Sequence, residues 1–201
     1  MGFNYDVWAV GGSRSLSGAG QAVARYIAEE MLASGARLAV GCCTGADAAF
    51  IAGAAGQGFA SRLWIFSAFG PIQARAGAVA AAGTCRSSAV GAVAAAKQAG
   101  AAIIPWAGGG PDLHIVARLR ARTSQVAYAA TAGGVIVADC TFGPGSLLLA
   151  SNLAAHGCAV YAITLAPMVP APGPGGWAAG YFLGLPCWRL PAGQGILPLA
   201  A

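Results

Sequence analysis

The charged chemistry of this chain is carried by arginine, and the first copy stands in "VWAVGGSRSLSG", Val7 to Gly18. A short apolar strand stops there on Gly11 and Gly12, and Ser13 and Arg14 follow. A guanidinium beside a Gly-Gly-Ser turn, at the end of a strand, is placed to hold an anion. Its planar fork suits phosphate better than a lysine ammonium does. Two later stretches repeat the pattern. "GCCTGADAAF" runs from Gly41 to Phe50, and "DCTFGPGSLLLA" from Asp139 to Ala150. Each puts glycine where the backbone must turn sharply or approach a ligand. Each then opens a helix, whose unpaired amides favour an anion. Hydroxyls stand near in Ser13, Thr44, Thr141 and Ser146. Gly11, Gly12, Ser13, Arg14, Thr44, Gly45, Asp47, Gly143, Gly145 and Ser146 are therefore the candidate binding residues.

Other phosphate-binding devices are missing. No Gly-Lys-Ser/Thr occurs, so there is no Walker A loop, and no G-x-G-x-x-G follows the first strand. Gly18 and Gly20 come too late, at the start of the next helix. The six cysteines form no C-x-x-C pair, which fits a reducing cytoplasm better than a disulfide frame or a zinc site. His114 and His156 have no carboxylate or cysteine partner at catalytic spacing and read as structural. Asp47 heads a helix. It either answers the helix dipole or contacts a ligand hydroxyl or Arg14. No catalytic residue, metal site or cofactor is assigned; the ligand expected is a nucleotide or single-stranded nucleic acid.

The elements that must position these loops alternate. Strands are expected at Asp6–Val10, Arg37–Gly41, Arg62–Phe66, Ala101–Ile104, Gly134–Ala138 and Cys158–Ile163. Helices are expected after Ser17, over Cys43–Gly58, over Asp112–Ala130 and after Gly143, with one or two more within Pro71–Gly100. Alternation of this kind predicts an α/β fold, a three-layer Rossmann-like sandwich with a mostly parallel sheet. Ligands of such sheets bind beyond the carboxyl ends of the strands. Residues 1–166 form this domain, and the Pro/Gly-rich 167–201 read as an extension packing on the domain or on a partner. Its aromatics, Trp177, Tyr181, Phe182 and Trp188, read as packing groups.

At 201 residues the chain has length for one domain with a sizeable core. Only 8% of its residues are charged, against about 25% in ordinary globular chains. That sparseness predicts surface buried in a homo-oligomer. No Asp, Glu, Lys or Arg occurs between Asp139 and Arg189, yet glycines, prolines, Asn152 and His156 break that stretch short of the roughly 20 apolar residues a membrane span needs. No membrane partner and no signal peptide are expected. The net charge of +5 is mild, well short of a polybasic tail. Arg118, Arg120 and Arg122 lie on one predicted helix, where 118 and 122 share a face; the simplest reading of the three is a solvated face.

The ordered set "GGSR", "GADAA" and "GPGSLLLASNLAAHGCAVYAI" resembles the SLOG superfamily, a Rossmann-like group that includes DNA-processing protein A and the "lonely guy" phosphoribohydrolases. The similarity covers about residues 6–165 and is greatest to DNA-processing protein A. By position, the resemblance implies a ligand cradle of Ser13, Arg14, Gly45, Asp47, Gly145 and Ser146. Arg122, in "RARTS", is implied at the place of the family's helix arginine. It implies binding of a nucleotide or single-stranded DNA, with a role in DNA processing. The phosphoribohydrolases carry a glutamate where this chain has Leu149, so an enzyme of that type would lack its carboxylate. Two alternatives stand beside binding: a phosphoribohydrolase-like nucleoside-monophosphate glycosidase or nucleotide hydrolase using Asp47 or Asp139, and a structural subunit of an assembly.

Overall fold

The computed structural model describes residues 6–69, 89–110, 112–166, 171–172 and 176–193. The alanine-rich stretch over 71–88 and most of "VPAPGPGGW" lie outside them. The described chain is an α/β sandwich. Strands β1 (Val7–Gly12), β2 (Arg37–Val40), β3 (Leu63–Phe66), β4 (Ala102–Ile104), β5 (Gly133–Ala138) and β6 (Ala159–Thr164) alternate with helices α1 (Gly18–Ala33), α2 (Ala46–Gly56), α3 (Ala89–Gln98), α4 (Ile115–Tyr128) and α5 (Pro144–Ala155). A hairpin, β7 (Ala178–Phe182) and β8 (Leu185–Leu190), closes the order.

Among the described residues the sheet has eight strands in the order β4-β3-β2-β1-β5-β6-β8-β7. β1 to β6 pair in parallel, and β8 joins β6 antiparallel. The chain leaves β1 toward β2 on one side and leaves β5 toward β6 on the other. The boundary between β1 and β5 is thus the switch point of the sheet, the place where α/β folds open a crevice.

Strand alternation divides the core. Val10, Val40, Val135 and Val137 face Ile27, Leu32, Phe50 and Ile51 of α1 and α2. Val7, Ala9, Ala39 and Ile136 face Val126 of α4 and Leu149 and Leu153 of α5. Phe50, Ile27 and Leu32 are fully buried, each contributing about 2 kcal/mol by leaving water. α1 starts at Ser17, whose hydroxyl accepts from the Gly20 amide, and ends before Gly35, which takes the left-handed φ of 99° common after a helix. β5 is buried along its whole length, as a central parallel strand must be.

The extension contains two strands that periodicity does not announce. The hairpin turns on Leu183 and Gly184, at φ 51° and 77°, a shape usually given to Asn-Gly; the leucine hides the turn. Pro186 is tolerated because β8 pairs with β6 only from Trp188 to Leu190, so its missing amide costs no bond to the parent sheet. Phe182 packs on Trp8 and Tyr161, with ring centroids 5.6 and 4.6 Å away. Among the described residues no helix is long and apolar enough to cross a membrane.

Candidate functional site

The cleft sits at the switch point. Val10, Gly11 and Gly12 of β1 form its floor with Gly41 and Cys43, which follow β2. Arg122, Thr123 and Val126 of α4 and Gly145, Ser146 and Leu149 of α5 close one side, and Arg14 and Asp47 complete the lining. It encloses about 60 Å³. That is room for one group of phosphate size, since a single water takes about 30 Å³ of liquid; a sugar and base would have to lie outside, along the rim.

The deepest part is an ion pair. Arg122 Nη1 stands 3.2 Å from Asp47 Oδ2. The same carboxylate oxygen accepts the Cys43 amide at 3.0 Å, and Arg122 Nη2 donates to Cys43 Sγ at 3.1 Å. Burial opposes the charge on Arg122. Cys43, Asp47 and Cys42 outweigh it and hold the guanidinium's pKa above its ordinary value. Arg122 Nε is buried without a hydrogen-bond partner. Gly41 makes the arrangement possible, because a Cβ there would overlap the guanidinium. Among the described residues, two arginines against one carboxylate leave the lining with one net positive charge.

The helix starts differ in what they meet. Asp139, at the end of β5, takes the Ser17 amide at 2.6 Å and the Ser17 hydroxyl at 2.8 Å. The start of α1 is therefore held by a carboxylate of the protein itself. At α2 the Ala46 amide donates to the Ser13 carbonyl at 2.9 Å. Gly45 sits there at φ 73°, pressed so closely on Ser13 and Arg14 that a Cβ would overlap their backbone. That contact locks the first turn onto the second. α5 differs: Gly143 gives it no side-chain cap and Pro144 no amide, and Gly145 and Ser146 face the cleft.

Of the candidate residues, Gly11, Gly12, Arg14, Asp47, Arg122, Gly145 and Ser146 come together in the lining, while Ser13, Thr44, Gly45 and Gly143 are not part of it. The partner of Asp47 is Arg122, not Arg14. Arg122 is only 6% exposed, so the helix bearing Arg118, Arg120 and Arg122 does not present three solvated arginines. Sequence reasoning does not single out Gly41, Cys43 or Thr123, although the first two stand inside "GCCTGADAAF". A glycine directly after a strand, ahead of a helix carboxylate, was the available signal. His114 caps α4, its Nδ1 accepting from the Val116 amide at 3.4 Å. His156 meets the Tyr128 ring edge-on. No family model matches the chain, and no curated protein matches it.

Proposed function

We propose that this chain binds a phosphate-bearing ligand, a nucleotide or single-stranded DNA, as a SLOG-type protein close to DNA-processing protein A. One observation carries the reading: the "GGSR", "GADAA" and "GPGS" turns meet at one rim, around a phosphate-sized hollow with Arg122 beneath it. In this reading a phosphate sits against the Gly145 amide and the Ser146 hydroxyl. Arg14 is exposed at the mouth and folds over it. The buried Arg122 supplies a fixed charge from below, strengthened by its dry setting.

Binding is favoured over glycoside hydrolysis by two side chains. Leu149 puts hydrocarbon in the cleft where a phosphoribohydrolase has its glutamate. Asp47, the one carboxylate in the lining among the described residues, is engaged by Arg122 and by the Cys43 amide. A reducing, cytoplasmic setting belongs to this reading, since the six cysteines include no C-x-x-C pair. Self-association is supported by Tyr26, Tyr181 and Leu183, exposed apolar groups around the hairpin.

The test is thermal denaturation with inorganic phosphate, nucleoside monophosphates and a labelled oligodeoxythymidine. A ligand at a hundred times its Kd stabilises by about 2.7 kcal/mol and raises Tm by roughly 5–10 °C in a chain of this size. No shift with any of them, and no oligonucleotide binding at low salt, sinks the proposal.

A further inference from the structure

Beside the phosphate cleft, at the ends of β3 and β4, lies a second assembly that the binding reading leaves unused. Arg118 places its guanidinium carbon 5.2 Å from the centre of the Phe69 ring and 5.5 Å from that of Trp106. Its Nε is buried without a hydrogen-bond partner. Trp106 adopts a φ of 51°, a strained conformation for a bulky residue. Backbone bonds fix the two loops to each other: Trp106 N to Phe69 O at 3.0 Å, Ala107 N to Ser67 O at 2.8 Å and Ser67 N to Ile104 O at 2.9 Å. Gly108 lies so close to α4 at Ala121 that a Cβ would overlap the helix backbone. The aromatic loop is thus clamped to the helix one residue from Arg122.

The placement relative to the cleft is set by regular geometry. Arg118 and Arg122 share a face of α4, about 6 Å apart along its axis. The end of β3 lies one strand, about 4.8 Å, from the end of β2, where Cys43 lines the cleft. A group seated over Arg122 therefore has the Trp106–Arg118–Phe69 cluster at the reach between a nucleotide's phosphate and its own base. Trp106 and Phe69 are both half-buried and keep part of their surface in solvent. Aromatic and guanidinium planes are the groups on which bases stack, whatever the base.

We propose that Trp106, Arg118 and Phe69 form a base-stacking platform for the nucleotide, or for one residue of a single strand, whose phosphate occupies the cleft. This rests on the phosphate-binding reading and adds the base to it. A base held by stacking alone is recognised as a flat ring rather than by its hydrogen-bonding edge. Adenosine and cytidine monophosphates then bind within a few-fold of each other.

The test compares ligands that differ only in the base. By titration calorimetry, adenosine 5′-monophosphate should bind about tenfold more tightly than ribose 5-phosphate, the gain one stacked base supplies. In Trp106→Ala that ratio should fall to about two, with ribose 5-phosphate affinity retained, and Trp106→Phe should restore most of it. Phe69→Leu gives an independent reduction of the ratio if the tryptophan variant fails to fold. Equal affinities of the two ligands in the wild type, or a ratio unmoved by both substitutions, overturn the platform and leave the cleft reading standing. Failure of ribose 5-phosphate to bind at all removes both.

Discussion

Arg122 and Asp47, 75 residues apart in the chain, meet 3.2 Å apart with side chains only 7% and 10% exposed. The pair joins α4 on one face of the sheet to α2 on the other, over the carboxyl end of the strands. Buried pairs of this kind add little net stability when intact, because both charges lose water, but removing one partner strands the other. Asp47→Ala should therefore cost about 3–4 kcal/mol and lower Tm by roughly 10 °C, whereas Asp47→Asn, which keeps an acceptor for Arg122 and the Cys43 amide, should cost less. Thermal denaturation of both variants checks this; equal, small losses would show that the pair is not buried in solution.

The space for Arg122 is the absent side chain of Gly41. A methyl there would overlap the guanidinium, which has nowhere else to go without leaving Asp47 and Cys43. Gly41→Ala should destabilise by about 2–3 kcal/mol, the range of overpacked cores. The double variant Gly41→Ala/Arg122→Met should lose less than the sum of the two single losses, since Arg122→Met already strands Asp47 and its shorter, uncharged side chain can yield to the methyl. A double-mutant cycle in urea measures the coupling. Strict additivity of the two losses contradicts the geometry.

How much of this was legible beforehand follows from what each feature depends on. The six parallel strands and the helix starts after Ser17 and Gly143 follow from local pattern, apolar runs stopping on glycine, and the structure has them within a residue or so of where that pattern puts them. The convergence of "GGSR", "GADAA" and "GPGS" follows from chain order, because loops after parallel strands end on one side of the sheet. The partner of Asp47 does not: Arg14 and Arg122 are both arginines near the rim, and only packing of α4 decides between them. The Leu183-Gly184 turn is likewise hidden by a leucine in a conformation that leucines seldom adopt. Asp139 looked as available for chemistry as Asp47 until the structure tied it to Ser17.

That Ser17–Asp139 contact sets the position of the first turn. Asp139 takes both the amide and the hydroxyl of Ser17, and the Ser17 hydroxyl also caps α1. Ser17→Ala should cost about 1 kcal/mol, the usual price of a lost cap, and Asp139→Ala somewhat more. Both should weaken phosphate-ligand binding without touching the lining, because Arg14 loses its anchored neighbour. Binding unchanged in a destabilised Asp139→Ala protein would show that the loop is positioned by Ser13 and Gly45 alone.

The thiols divide by burial. Burial raises the pKa of Cys158 and of Cys187, the latter partly offset by Arg189, so both present less thiolate at neutral pH. Cys140 is exposed. Native alkylation with iodoacetamide at pH 7.5 should modify Cys140 first and Cys158 and Cys187 at least tenfold more slowly, with their rates rising toward alkaline pH. Cys43 lines the cleft, and a bound nucleotide should slow its modification while leaving Cys140 unaffected. Mass spectrometry of the labelled peptides reads all four sites; a Cys43 rate indifferent to ligand places the ligand elsewhere.

The charge of the cleft limits how it can hold a single strand. Among the described residues Arg14 and Arg122 are its two cations, and Asp47 offsets one of them. A chain that neutralises one or two phosphates should show a log–log salt slope of roughly −0.7 to −1.4 on single-stranded DNA. Arg14→Ala removes the exposed cation and should cut affinity about tenfold, the loss of one charge-assisted hydrogen bond, flatten the slope by about 0.7, and leave Tm within 2 °C or so, because a surface side chain is lost. Anisotropy titrations between 50 and 300 mM salt measure both quantities. A steep slope near −4 that survives Arg14→Ala would mean that the strand follows some other basic surface, and the cleft would lose its claim to the phosphate.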